Sequence, residues 1–155
     1  MLTAVALPYD ALPLPFVERH GLSRFAHDRG GERELRFHYN VAAPLLPVWH
    51  EGQPVIVTWG CRRGESRVLP ATGWARLTTV AAGDWAVWGA KPVVIPAVLG
   101  FDGGVWFAVR EGIRGVLVRD DKDRMRVYPV CAPASHYYKV MTRSEWMPVL
   151  VRDRI

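Results

Sequence analysis

The stretch RGVLVRDDKDRMRVYPV, Arg114–Val130, decides how the rest of the chain is read. Two runs rich in β-branched and aromatic residues flank the polar turn DDKD, so the segment predicts two antiparallel strands joined as a hairpin. Outward from it, similar short runs recur. VWFAV (Val105–Val109), PVVIPAVLG (Pro92–Gly100), PVIVTWG (Pro54–Gly60) and the alternating LRFHYN (Leu35–Asn40) all read as strands. WARLTTV (Trp74–Val80) is expected to be another, and MPVLV (Met147–Val151) to close the sheet. VAAPLLP (Val41–Pro47) reads as a turn. Short helices are expected around Phe16–Phe25, Asp84–Trp88 and Ser135–Arg143.

Twelve prolines and fourteen glycines over 155 residues cut the chain into segments too short for a helical bundle. The expected fold class is therefore α+β: one β-rich domain with a mainly antiparallel, partly barrel-like sheet and a few short helices. Residues 1–34 combine a proline-rich start with the polar run HDRGGERE, and are expected to form an N-terminal extension to a domain covering 35–155.

No stretch approaches the roughly 18 consecutive apolar residues of a membrane span, and a cytoplasmic monomer without cofactor is expected. Cys61 and Cys131 are too few for a disulfide framework, and with the five histidines they form no metal-ligand spacing. A net charge of +5 favours an acidic partner, since lysine and arginine gain affinity for phosphate by releasing counterions. Seven tryptophans exceed what one small core needs, leaving rings to stack on unpaired bases.

Three segments invite chemistry. CRRGESR (Cys61–Arg67) reads as an exposed basic loop, where the neighbouring arginines would favour the Cys61 thiolate; the alternative is an inert loop cysteine. His136, in ASHYYK, has aromatic and basic neighbours and is either a site residue or a hydrogen-bonded structural histidine. GFDGG (Gly100–Gly104) lacks the lysine and helix of a phosphate-cradling loop and reads as a strand turn.

The order of these short blocks resembles the SOS response-associated peptidase (SRAP) family. Tyr39, Asn40, Val41, Ala42 and Pro44 are similar to its tyrosine-asparagine-hydrophobic-alanine-proline signature, and Trp59–Gly60 to its tryptophan-glycine element. Ala75, Arg76 and Thr79 resemble its asparagine-alanine-arginine-x-glutamate-threonine strand. Pro96, Ala97, Gly100, Phe101 and Trp106 resemble its proline-alanine-aspartate-glycine block, and Met147–Leu150 the end of its histidine-x-arginine-methionine-proline-valine motif. The resemblance covers about residues 36–151, and GWAR and ASHYY are reminiscent of phage-associated members.

It implies a positively charged channel for single-stranded DNA and a role in the DNA damage response, with abasic sites captured by a cysteine after the initiator methionine. The departures fall on the chemistry. Leu2 stands at the cysteine, and its bulk is expected to keep Met1 in place; the alternative is a cysteine on an upstream segment. Trp74 stands at the asparagine and Ser144 at the histidine. Val105 aligns with the glutamate, with Asp102 and Glu111 close enough to supply a carboxylate under a shifted alignment.

The resemblance thus implies a single-stranded DNA-binding protein with degenerate catalysis, using Asn40, Trp59, Arg62, Arg63, Arg67, Trp74 and Arg76 for the nucleic acid. For Trp59 and Arg76 the alternative is that they merely hold the sheet together. Two further readings stay open: an abasic-site lyase or peptidase-like enzyme drawing on Cys61, His136 or Ser144, and a protein-binding module using the old groove.

Overall fold

Strand alternation and proline placement account for most of the architecture of the computed structural model, which describes residues 1–152. The Arg114–Val130 hairpin forms as read: β10 (Ile113–Arg119) pairs antiparallel with β11 (Met125–Pro133), Leu117 opposite Val127. β7 (Lys91–Ile95) lies on the other side of β10, followed by β4 (Leu45–His50) and β5 (Gln53–Trp59). β5 then pairs in parallel with β11, closing these five strands into a barrel. β11 continues past the barrel to hold β6 (Ala75–Arg76) and β12 (Trp146–Pro148).

A second, five-stranded sheet runs β2-β3-β1-β8-β9, comprising Ala26–Arg29, Glu32–His38, Ala4–Pro8, Leu99–Asp102 and Val105–Ala108. Its inner face (Val5, Leu7, Leu35, Phe37, Phe107) shares one core with the barrel interior (Leu46, Val48, Val57, Ile95, Leu117, Val127). A smaller core of Cys61, Trp85, Val116, Tyr128 and Val130 lies on the outside of the barrel. The fold is α+β, β-rich and mainly antiparallel, with three short α-helices among the described residues: α1 (Leu14–Arg19), α2 (Leu77–Ala81) and α3 (His136–Thr142).

Five sequence expectations need correction. Residues 1–34 are no appendage: β1 sits between β3 and β8, with Ala4, Val5 and Ala6 fully buried. The turn expected over 41–47 is confined to 41–44; from Leu45 the chain is β4, whose Pro47 is accommodated opposite Ile56. Residues 92–100 divide into β7 and β8 in different sheets, because Pro96 has no N–H to continue a ladder.

The strand expected over Trp74–Val80 stops at Arg76. Leu77 and Val80 have the three-residue spacing of one helix face, and both pack on the smaller core as α2. The helix over 16–25 is broken at Gly21 (φ +61°) into α1 and a 3-10 turn, Leu22–Phe25.

Candidate functional site

Asp102 ends β8 pointing inward and is 2% exposed. Burial of a lone carboxylate is costly, so its donors are informative. Tyr138 donates to Oδ2 at 2.6 Å, Ser144 donates to Oδ1 at 2.7 Å, and the Met1 amine reaches Oδ1 at 3.2 Å. The amine also donates to Ser144 Oγ at 3.1 Å. Amine, hydroxyl, phenol and carboxylate therefore form one connected group, with the amine on its more open side.

Local sequence explains the convergence. Gly103, at φ +58°, turns the chain where a Cβ would lie 2.0 Å from Thr142 O, which brings the β8–β9 turn against the end of α3. Ser135 caps α3 by accepting from Tyr138 N at 3.2 Å, and the Thr142 hydroxyl donates to Tyr138 O at 2.8 Å. Arg143 adopts a left-handed conformation that ends the helix and delivers Ser144. On the other side the Leu2 side chain is buried near Gly100, where a Cβ would come within 2.9 Å of it. Leu2 is thus a hydrophobic anchor for the strand start.

Burial and the neighbouring Asp102 push the Tyr138 phenol far above its ordinary range, so it stays a hydrogen-bond donor.

Trp74 joins this group through its indole N–H, which donates to Leu2 O at 2.9 Å. Its ring packs on Tyr39 at 5.1 Å, and Tyr39 packs on Trp59 at 5.3 Å. Gly73 is required beneath, since a Cβ would come 2.7 Å from the Tyr39 ring. Arg76 is exposed, its guanidinium 4.6 Å from the centre of the Trp146 ring, and it lies opposite Cys131 in the β6–β11 register. Asn40 is exposed in the bend after β3, whose Tyr39 N–H donates to Thr3 O.

Other sequence candidates lie elsewhere or act differently. Trp59 is 1% exposed and donates its indole N–H to Gly73 O at 2.9 Å, so the packing alternative holds and no base can stack on it. Cys61 is equally buried; burial pushes its thiol up, outweighing the opposing pull of Arg126. The adjacent arginines therefore do not favour its thiolate as expected, because the exposed loop begins only at Arg63. Arg62 turns inward, donating to Tyr39 O at 2.7 Å and to Val41 O, which clamps the Asn40 bend.

Arg63 and Arg67 are exposed, on a loop tied to the hairpin tip through Arg67 N–H and Asp121. His136 is exposed in the first turn of α3 and takes no part in the hydrogen bonds around Asp102. Asp102, three residues before Val105, is the carboxylate in this group. The visible signal for it is an aspartate closing a strand immediately before Gly103–Gly104. Tyr138 left no signal, being one of two adjacent tyrosines.

Among the described residues, no group of three His, Cys, Asp or Glu side chains is placed to hold a metal ion. No family model, curated protein or solved structure matches this chain.

Proposed function

We propose that this chain is an SRAP-like, single-stranded DNA-binding protein that senses abasic sites during the DNA damage response, with the family's thiol chemistry lost. One observation carries this reading. Two positions that the resemblance marks as chemical, the chain start and Ser144, bond one buried carboxylate, Asp102, which a shifted alignment offers in place of Val105, and a third, Trp74, bonds the adjoining Leu2 carbonyl. Arg76 and the Trp146 face stand close by in the sheet, suited to a phosphate and a base. With Leu2 buried in the core, no thiol is available there to form a thiazolidine. The protein acts as a cytoplasmic monomer in this reading; no helix among the described residues is long and apolar enough to cross a membrane.

Titration of a fluorescent single-stranded oligonucleotide, followed by anisotropy at several salt concentrations, tests the proposal. Micromolar or tighter binding that weakens steeply with salt is expected. Absence of binding at low salt sinks it.

A second reading keeps catalysis, and the amine-carboxylate-hydroxyl geometry favours it over Cys61 or His136. With Met1 as the first residue, its amine would condense with the sugar aldehyde of an abasic site, forming an imine and releasing water, while Asp102 accepts a proton. Borohydride reduction of a mixture with an abasic oligonucleotide should then leave a slow-migrating band on a denaturing gel. A band that persists unchanged after chemical blocking of the amine rules this reading out.

A further inference from the structure

Strand register defines which side chains point into the five-stranded barrel, because directly paired antiparallel residues share a face. Val48 faces Val55, Val93 faces Gly115, and Leu117 faces Val127, and this set fills the interior. Two residues further along each strand, the same inward set changes character. β4 ends in His50, β7 begins at Lys91, and β10 ends in Arg119, which pairs with Met125. The alternation that packs the interior with aliphatic groups therefore delivers a ring of basic side chains to one mouth of the barrel.

These four residues line one cavity of about 250 Å³, with Leu117 at its floor and Trp88 at its wall. The Trp88 ring is steadied by edge contact with Trp85, at 5.2 Å between centres. No acid among the described residues lines the cavity. Two of its basic residues face exposed acids that do not line it: Glu51 lies 3.6 Å from His50 Nε2, and Asp123 lies 3.5 Å from Arg119 Nη1. Lys91 has no ion-pair partner among the described residues.

We propose that this mouth binds a nucleoside monophosphate, with the phosphate between Lys91 and Arg119 and the base against Trp88. Arginine and lysine supply charge-assisted donors to a phosphate dianion, and the indole offers the stacking face that any nucleobase accepts. The cavity has more room than a bare oxyanion fills and an apolar floor that a bare oxyanion would not use. Its volume falls just below the roughly 300–1,000 Å³ usual for small-ligand sites, which suits one nucleotide rather than a dinucleotide cofactor. Barrel mouths are a common place for such sites. The inference rests on the barrel register and is independent of the single-stranded DNA reading.

Isothermal titration of the full chain with AMP, adenosine and inorganic phosphate tests it, together with the indole N–H resonance of Trp88 in the same titrations. Saturable AMP binding at or below about 1 mM is expected, with adenosine and phosphate each weaker by about tenfold or more. The double variant Lys91→Gln/Arg119→Gln should weaken AMP binding at least tenfold while leaving the affinity for a single-stranded oligonucleotide unchanged. Trp88→Leu should weaken AMP but not phosphate. No saturable binding of AMP in the millimolar range, an unaffected double variant, or phosphate binding as tightly as AMP would each overturn the proposal.

Discussion

The Tyr138 hydroxyl donates to Asp102 Oδ2 at 2.6 Å, although the two residues lie 36 positions apart and neither reaches solvent by more than a few per cent. Tyr138→Phe leaves the carboxylate buried with one donor fewer. Such losses cost about 1–3 kcal/mol, so the urea midpoint should fall with the slope unchanged. An unshifted midpoint would show that water replaces the phenol.

The turn that carries Asp102 depends on Gly103. Gly103→Ala combines a φ of +58° with a Cβ 2.0 Å from Thr142 O, and backbone must move to relieve it. Its neighbour Gly104 has φ +79° with nothing within 4 Å, so Gly104→Ala meets only the left-handed strain of about 1–2 kcal/mol. Thermal melting should rank Gly103→Ala well below Gly104→Ala, and equal losses would place the close approach in doubt.

Acid sensitivity should centre on Asp120. Burial would raise its pKa, but N–H donors from Arg124 and Lys122 and the Arg126 guanidinium outweigh it and hold the carboxyl at about 2. A lowered pKa means that the folded state binds the proton less readily. The stabilisation, on the order of 2 kcal/mol, is thus present above about pH 5 and lost as pH falls towards 2. Asp120→Asn should flatten the pH dependence of the denaturation midpoint over that window. A variant that loses stability with acid as steeply as the parent would contradict this.

Legibility in the sequence followed the range of the interactions. The Arg114–Val130 hairpin was readable because its pairing is local and its turn is polar. β1 was not, because AVALP becomes a central strand only through residues 34–38 and 99–101, which no short window contains. Trp59 and Cys61 misled for the same reason: their burial is set by Gly73, Thr72 and β11 rather than by their neighbours. Ser144 and Asp102 meet across 42 positions, a contact that only the paths of β8 and α3 bring about, so no local pattern announces it.

The two aromatic rings of the Tyr39 stack should separate functionally. Trp74→Ala and Arg76→Ala are expected to weaken oligonucleotide binding, and Arg76→Ala should also reduce the salt slope by about 1, as loss of one phosphate contact does. Trp59→Phe should lower stability but leave the affinity of the folded protein intact. Equal effects of Trp59→Phe and Trp74→Ala on affinity would mean that the cluster serves packing alone.

Both thiols should be silent in the native state. Burial raises Cys61 and Cys131 above the ordinary thiol range, so Ellman's reagent should label them only as fast as the protein opens. Rapid labelling of a single thiol at neutral pH would show one to be accessible.

The position of β1 has a kinetic consequence. Its partners emerge from the ribosome some thirty and then almost one hundred residues after it, and the barrel cannot close until β11 meets β5. Long sequence separations of this kind slow the search for the native pairing. A growing chain that has not yet reached Asp102 holds Val5 and Leu7 in a strand with one open edge, the state in which sheets recruit strangers. Its yield in a cell should therefore depend on elongation speed and chaperone supply more than on the equilibrium stability of the finished molecule.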